Sequence, residues 1–210
     1  MHHSPTDQLI DLFDTALRAI SGGAREQRPS PAKKETCNPL SSKAKRESGR
    51  LMRVNHCGEV CAQALYLGQA LTSREPRTRE ALRKSADEEI DHLAWCEDRL
   101  NELDTKPSYL NPAFFGISLL GGAITGLLSE RINLGFVAAT EEQVVGHLDL
   151  HLEILPKEDN LSRAILVKMR EDEAKHQALA LDQGGVDFPY PLKKLMKIAS
   201  RVMTRSTYWI

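Results

Sequence analysis

The amino-acid sequence predicts an all-α protein with a four-helix bundle at its centre. Four long stretches repeat apolar side chains at the spacing of a helical face, and proline or glycine residues separate one stretch from the next. No segment alternates polar and apolar residues for more than a few positions, as a half-buried β-strand would. The 210 residues suffice for one domain with a tail, and they can bury a substantial core.

The first 42 residues are predicted to form an N-terminal helix followed by a flexible linker. Residues 5–20 place five apolar side chains on one helical face, namely Leu9, Ile10, Phe13, Leu17 and Ile20. Residues 21–42 combine two glycines and three prolines with serine, lysine and arginine, which favours a linker. The main domain is therefore expected to extend from residue 43 to residue 210.

The four bundle helices are expected in chain order over residues 43–72, 76–103, 113–155 and 157–183. Pro76 stands near the start of the second helix, and Pro156 separates the third from the fourth. The third stretch is the longest, and bends are expected at its glycines. The pair Gly184-Gly185 ends the fourth helix.

An unusually apolar segment, 107–129, begins just before the third stretch and includes its first part. It contains no charged side chain, and the part from Ala113 to Leu128 is strongly apolar. At roughly 1.5 Å per residue these 16 residues would make a helix of about 24 Å, whereas a helix that crosses a bilayer needs about 20 residues. The segment therefore fits either a buried core helix or a helix that lies on, or dips into, a membrane face.

The C-terminal residues 189–210 are predicted to form an amphipathic helix. Such a basic helix attracts anionic lipid by about 1 kcal/mol per basic residue near the surface, and Tyr208 and Trp209 are residue types that prefer the membrane interface. An ordinary docking helix with a solvated basic face is the alternative. Together with the segment 107–129, this tail favours association with a membrane surface. Its basic residues, among which no acidic one occurs, are Lys193, Lys194, Lys197, Arg201 and Arg205.

Composition and charge exclude several classes of protein. The formal net charge is −1, so the chain has no overall field that would attract nucleic acid. Four cysteines in a chain of this length do not form the framework of a disulfide-rich secreted domain. Acidic residues near the N-terminus also take the place of the basic and apolar regions of a secretory signal. A reducing, cytoplasmic setting is expected.

Two copies of the pattern Glu-x-x-His carry the strongest chemical signal, Glu89 with His92 and Glu173 with His176. On a helix, residues three apart lie on one face, so each pair can present an oxygen and a nitrogen to one ion. One copy of this pattern is weak evidence, because glutamates are frequent in the chain. Two copies on two predicted helices make a metal site worth considering.

A glutamate on the preceding helix completes each pair. Glu59 lies 30 residues before Glu89, and Glu141 lies 32 residues before Glu173. One glutamate from each of two helices and one Glu-x-x-His from each of the other two is the ligand pattern of ferritin-like di-iron bundles. One imidazole and several carboxylates per ion suit iron or manganese better than zinc. Glu141 lies among apolar neighbours, where a carboxylate is costly to bury without a cation.

Other interpretations of these residues remain open. The buried carboxylates could form salt bridges with Arg53 or Arg170 instead of binding metal. A zinc site could form from cysteines and one histidine, Cys57, Cys61, His92 and Cys96. Other polar residues near the motifs are expected to be solvated or to lie outside the ligand set, namely Glu88, Asp91, Glu142, His147 and His151. Of these, His147 could contact a substrate oxygen.

The chain resembles the bacterial demethoxyubiquinone hydroxylases, a family of di-iron carboxylate proteins. The resemblance covers nearly the whole chain from about residue 45, and it includes the NP-x-F-x-G segment at 111–116 and the C-terminal helix. The N-terminal helix also looks similar. The segments that carry it are LMRVNHCGEVCAQALY (51–66), EEIDHLAWCE (88–97), LGFVAATEEQVVGHLDLHL (134–152) and MREDEAKHQAL (169–179).

The resemblance implies a monooxygenase of ubiquinone biosynthesis that uses two iron ions per chain and O₂. Its substrate would be a 2-polyprenyl-3-methyl-6-methoxy-1,4-benzoquinol, hydroxylated on the ring. The family also implies peripheral attachment to the cytoplasmic face of the cell membrane, and partners among other ubiquinone-biosynthesis proteins. The family's ligands fall on Glu59, Glu89, His92, Glu141, Glu173 and His176, with Glu89 and Glu173 as the bridging glutamates.

Two competing functions are carried alongside this hypothesis. The same metal ligands could serve a ferritin-like ferroxidase or a dimanganese catalase, although neither would need the apolar segment or the basic tail. A helical adaptor at a membrane surface, without any catalytic activity, is the other alternative. Metal content and turnover of a quinol with O₂ distinguish the three.

Overall fold

The computed structural model of the protein describes residues 14, 16–36 and 38–210, and in that part of the chain every regular element is helical. The all-α prediction is therefore confirmed. After a short 3-10 helix at Pro31–Lys34, the six long helices are α1 (Ser42–Thr72), α2 (Pro76–Glu102), α3 (Asn111–Leu128), α4 (Glu130–Ile154), α5 (Asn160–Asp182) and α6 (Tyr190–Trp209).

The N-terminal region is described only in part. Residues 16–21 are helical, as predicted, with Ala19 buried and Leu17 about half exposed. The predicted apolar positions Leu9, Ile10 and Phe13 lie outside the described residues. The boundary between residues 42 and 43, and the flexibility assigned to 21–42, stay predictions.

The prediction of a single stretch over 113–155 was wrong in one respect, because it is two helices that meet at Ser129. This residue has an extended backbone (φ −165°, ψ 157°), and its hydroxyl accepts a hydrogen bond from the amide of Ile132 at 3.3 Å. Serine is a favoured N-cap because its side chain satisfies one of the free amides of the first turn. The interruption is therefore at the cap of α4 and not at a glycine.

Two buried apolar clusters show how the four bundle helices run. One cluster joins the start of α1 and α5 to the end of α2 and α4, with Leu51, Leu100, Leu148 and Ile165 among its members. The other joins the opposite ends of the same four helices, with Tyr66, Leu82, Val137 and Ala180. Consecutive bundle helices are thus antiparallel, and the middle of the bundle lies between the clusters.

Helix α3 lies against α1 through glycines rather than inside the core. A Cβ atom at Gly122 would lie 2.2 Å from the carbonyl oxygen of Leu65, and one at Gly68 would lie 2.2 Å from that of Leu119. Only 28% of the helix is buried, so the buried-core interpretation of this segment was wrong. By length and composition alone, α3 is apolar enough to cross a membrane, with a mean hydropathy of 1.4. Its exposed side chains include Ile117, Leu120, Ile124, Leu127 and Leu128.

Substituting Gly122 by alanine is expected to lower the free energy of unfolding by about 1–3 kcal/mol, because the added methyl group forces α3 away from α1. Gly116→Ala on the same helix is the matched control, since a Cβ atom there meets nothing within 4 Å. The control should gain up to about 1 kcal/mol from helix propensity. Urea unfolding of both variants measures the difference, and equal stabilities would contradict the close packing.

Helix α6 packs against the bundle at the start of α1. The Tyr208 hydroxyl donates to Glu47 at 2.7 Å, and the guanidinium of Arg50 lies 4.3 Å from the centre of the Trp209 ring. These contacts hold the end of α6 against the start of α1. Elsewhere α6 exposes apolar side chains such as Leu195 and Val202.

Candidate metal centre

The six predicted ligand residues lie in the middle of the bundle, between the two apolar clusters. Each of the four bundle helices contributes to this layer, because each predicted residue falls about halfway along its helix. Glu59 and Glu89 are buried, as are the other four. The exposed fractions are 4% for Glu59, 0% for Glu89 and His92, 1% for Glu141 and Glu173, and 5% for His176.

The two Glu-x-x-His pairs face each other across the bundle. The Nδ1 atom of His92 lies 3.0 Å from Glu89 Oε2 and 3.1 Å from Glu173 Oε1. The Nδ1 atom of His176 lies 3.1 Å from Glu173 Oε2 and 3.2 Å from Glu89 Oε1. Each of these two glutamates therefore presents one oxygen to each histidine, which is the arrangement a bridging carboxylate needs. Glu59, at 3.6 Å from His92 Nδ1, joins the same group.

Glu141 stands at the edge of this group and is held by a tyrosine that the sequence did not single out. The buried Tyr66 hydroxyl donates to Glu141 Oε1 at 2.6 Å. Burial, followed by the charges of Glu173 and Glu89, raises the pKa of Glu141 well above its usual value. A closely packed set of ligand atoms forms from Glu59, Glu89, His92 and Glu173, all within 4.8 Å of one another.

An acidic residue contacts the outer nitrogen of each histidine. His92 Nε2 lies 3.3 Å from Asp172 Oδ2, and His176 Nε2 lies 3.0 Å from Glu88 Oε2. Because Nε2–H can donate to these carboxylates, the Nδ1 lone pair is left to face the glutamates. The sequence placed Glu88 outside the site and did not consider Asp172. Both directly precede a predicted ligand glutamate, and this repeated acidic pair was the missed signal.

The donor set fits a cation better than the alternatives do. Among the residues that the structure describes, Glu59 Oε2 is buried without a hydrogen-bond partner, a costly state that a bound cation would relieve. The salt-bridge interpretation was wrong, because Arg53 donates to the carbonyl of Lys106 and Arg170 pairs with Asp149. The zinc interpretation is also not supported, since His92 Nδ1 faces glutamates and Cys96 contacts Met169.

The surroundings of three other polar residues, Glu142, Asp91 and His151, differ from one another. Glu142 lies at the surface beside Lys193, as expected for a solvated residue. Asp91 was expected on the outer face but is buried, with its carboxylate held by Arg28. His151 is also buried, and burial together with the neighbouring His147 lowers its pKa to about 2.

A cavity of about 560 Å³ leads to the carboxylate group from between α3 and α6. Its inner end is formed by Glu59, Glu141 and Glu173. The walls are mostly apolar and come from four helices, and they include Leu65, Phe114, Phe136, Val144, Met196 and Met203. A cavity of this size and composition is typical of a site for an apolar small molecule. The two helices at its opening are those that the sequence assigned to the membrane surface.

Comparison with known proteins agrees with these features. The family model described as ubiquinone biosynthesis protein COQ7 matches residues 46–207. The chain belongs to the COQ7 family. Three curated relatives are each named 3-demethoxyubiquinol 3-hydroxylase, and each alignment covers 100% of this chain and 98% of the relative. They are the proteins of Azotobacter vinelandii (55% identical), Stutzerimonas stutzeri (54%) and Pseudomonas paraeruginosa (53%).

The part of this COQ7 chain that matches the family model contains all six predicted ligand residues and both histidine partners, Glu88 and Asp172. It also contains nearly all of the cavity-lining helices. Residues 22–34, which we call the N-terminal strap, lie outside the matched range. The strap nevertheless packs against α2 and reaches α5 through Arg28.

Proposed function

We propose that this protein is a 3-demethoxyubiquinol 3-hydroxylase, a monooxygenase that uses O₂ to hydroxylate the ring of a 2-polyprenyl-3-methyl-6-methoxy-1,4-benzoquinol. The observation that carries the proposal is the apolar cavity that ends at Glu59, Glu141 and Glu173. It gives an apolar ring access to the group of predicted metal ligands in the middle of the bundle. The names of the relatives give the same activity.

We propose further that two iron ions are held by Glu59, Glu89, His92, Glu141, Glu173 and His176, with Glu89 and Glu173 bridging. Two features support this proposal. Glu89 and Glu173 each present one oxygen to His92 and the other to His176, and the donor set is rich in oxygen, which suits iron. When bound, two ferrous ions would each supply one of the four electrons that the reduction of O₂ requires, and the ring C–H bond that is hydroxylated would supply the other two. The four carboxylates would match the +4 charge of such a pair.

Binding of two divalent ions to the metal-free protein is expected to release protons. Burial lowers the pKa of His176, but the hydrogen bonds that its ring donates to Glu173 and Glu89 outweigh burial and raise that pKa to about 12. Burial also raises the pKa of Glu59 and of Glu141 well above the usual value. The His176 ring therefore holds a proton at neutral pH, and an ion must displace it. Affinity should therefore rise with pH from about 6 to 8.

Isothermal titration calorimetry of the metal-free protein with Co²⁺ measures this release. The observed heat should depend on the ionisation enthalpy of the buffer, because the buffer takes up the released protons. A heat that is the same in phosphate and in Tris would contradict the prediction.

Polar side chains in the cavity could orient the quinol ring. Apart from the predicted ligand Glu59, three cavity-lining residues have a buried polar atom without a hydrogen-bond partner in the described part of the chain, namely Asn55 Oδ1, Gln143 Nε2 and His147 Nε2. Burial lowers the pKa of His147 to about 4, so its ring is neutral at pH 7 and can donate or accept one hydrogen bond. We propose that these atoms bind the oxygen substituents of the ring while the apolar walls exclude water.

We propose that the protein attaches peripherally to the cytoplasmic face of the cell membrane through α3 and α6. The exposed apolar faces of both helices flank the cavity opening, so a polyprenyl chain could pass from the lipid to the carboxylate group. Other proteins of ubiquinone biosynthesis remain proposed partners. The exposed basic residues of α6 would contact anionic headgroups, namely Lys194, Lys197, Arg201 and Arg205.

Replacing the exposed residues Lys194, Lys197 and Arg201 together by glutamine is expected to weaken binding to anionic vesicles roughly 100-fold, at about 1 kcal/mol per charge. Sedimentation with vesicles of phosphatidylcholine and phosphatidylglycerol measures the affinity. A matched triple variant on α2 should bind as the wild type does, because that helix lies away from the apolar faces. Equal losses in both variants would contradict the assignment of α6. The control positions are Arg77, Arg83 and Lys84.

The decisive test is product analysis with iron-loaded protein, a short-tailed demethoxyquinol and isotopically labelled O₂. The expected product carries one labelled oxygen on the ring. Iron oxidation or peroxide dismutation without a hydroxylated product would favour the ferroxidase or catalase, although neither explains an apolar cavity of about 560 Å³. Fewer than about one ion per chain after anaerobic reconstitution would favour the non-catalytic adaptor.

A further inference from the structure

The two halves of the carboxylate group have the same inner contacts but different outer ones. Asp172, which contacts His92 Nε2, is also within hydrogen-bond distance of three cations: Arg28 Nη1 at 2.9 Å, Lys168 Nζ at 2.6 Å and Lys175 Nζ at 3.0 Å. Glu88, which contacts His176 Nε2, has no lysine or arginine within 4.0 Å of its carboxylate among the residues that the structure describes. Its side chain is 36% exposed. The two histidines therefore have similar contacts at Nδ1 but partners in different surroundings at Nε2.

Arg28 is the cation that joins two of the helices bearing predicted ligands. Its Nε donates to Asp91 Oδ2 on α2 at 2.6 Å, and its Nη1 donates to Asp172 Oδ2 on α5. Asp91 directly precedes His92 in the sequence, and Asp172 directly precedes Glu173. The guanidinium thus hydrogen-bonds to one residue on α2 and one on α5, and each of these residues directly precedes a predicted ligand. A planar group with fixed N–H directions suits such a double contact.

The strap holds Arg28 in place by its own backbone. The amides of Gln27 and Arg28 donate to Asp91 Oδ1 at 2.6 and 3.2 Å, and the carbonyl of Arg28 accepts from Trp95 Nε1 at 3.1 Å. The guanidinium also lies 5.3 Å from the centre of the Trp95 ring. These contacts fix the arginine at its backbone and along its side chain. They orient the guanidinium towards both aspartates.

We propose that Arg28 is a positioning residue for one of the two metal positions, the one that His92 would serve. It acts through Asp172, which holds the His92 ring, and through Asp91, which fixes the adjoining turn of α2. The inference rests on the proposed ligand set. It makes the two ions unequal, because Arg28 bonds directly to the carboxylate that holds His92, whereas it reaches Glu88, the partner of His176, only at the backbone carbonyl, at 3.4 Å. Outer partners of a metal-bound histidine typically change metal affinity about 10–100-fold.

The test is stepwise binding of Co²⁺ to the metal-free protein, with wild type, Arg28→Gln and Arg28→Lys compared. In both variants we expect one ion to bind at least about 10-fold more weakly and the other to bind as before. Arg28→Lys should not rescue, since one ammonium group cannot reproduce the two directed bonds to Asp91 and Asp172. Arg25→Gln is the matched control, because Arg25 is an exposed residue of the same strap, and it should bind both ions normally.

A second readout identifies which ion is affected. Mössbauer spectra of the iron-loaded wild type should show two distinct iron signals, of which Arg28→Gln changes one and Glu88→Gln changes the other. Unchanged affinities and spectra in both Arg28 variants would refute the inference while leaving the ligand set intact. An equal loss of both ions would also refute it, since this indicates a general structural role. A wild-type protein that binds no pair of ions would refute the ligand set and this inference together.

Discussion

Replacing Glu141 by glutamine is expected to cost the protein at least one of its two ions and to lower quinol turnover about 1000-fold, equivalent to about 4 kcal/mol. The amide keeps the volume of the side chain and can still accept the hydrogen bond from Tyr66, so the packing of the bundle is preserved. It lacks the negative charge that would balance a cation in a layer closed by apolar clusters on both sides. Metal analysis and product formation measure the two effects.

Glu142→Gln provides a control one residue away. The Glu142 side chain lies at the surface beside Lys193, so its loss should leave both ions bound and turnover close to that of the wild type. Glu141→Ala removes the whole carboxyl group and should abolish iron binding. Two bound ions and normal turnover in either Glu141 variant would remove this residue from the ligand set.

Filling the cavity is expected to separate substrate access from metal binding. Gly121 lines the cavity on α3, and a Cβ atom there meets nothing within 4 Å. A phenylalanine at this position can therefore be placed without disturbing the backbone, and its ring would occupy space meant for the quinol. We expect turnover at low substrate concentration to fall at least about 10-fold, or about 1.4 kcal/mol, with the metal content unchanged.

Gly116→Phe tests whether that loss comes from the cavity or from a bulkier α3. Gly116 lies on the same helix and is equally open, but it does not line the cavity. Gly116→Phe should therefore keep wild-type turnover, although it adds the same side chain to α3. Normal kinetics in Gly121→Phe would show that the substrate reaches the carboxylate group by another path.

Most of the helical architecture could be predicted from the chain alone, since the repeat of apolar side chains along a helix is a local property. The observed α1 and α2 begin and end within one or two residues of the predicted stretches. The break at Ser129 was missed because apolar residues continue on both sides of it. Only the extended backbone of this one serine separates α3 from α4, and the side chain of the same serine caps α4.

The role of the segment 107–129 could not be decided from composition. A buried core helix and a helix with one exposed face have the same apolar content. The difference depends on Gly68 and Gly122, which let α3 approach α1 along a narrow strip and leave the opposite face uncovered. The cavity between α3 and α6 depends on the same packing, so no pattern in the sequence indicated it.

The sequence by itself determined the helices and the six candidate ligand residues. The helices and the two Glu-x-x-His pairs follow from spacing within single helices, and Glu59 and Glu141 follow from their spacing to those pairs and from the family resemblance. Tertiary structure alone decided how these residues are held. Glu88 contacts His176, Tyr66 contacts Glu141, and Arg28 joins Asp91 to Asp172. Each contact joins different parts of the fold, and all four link residues more than 60 positions apart. Their proximity is set by how the helices and the strap pack, which short-range periodicity does not encode.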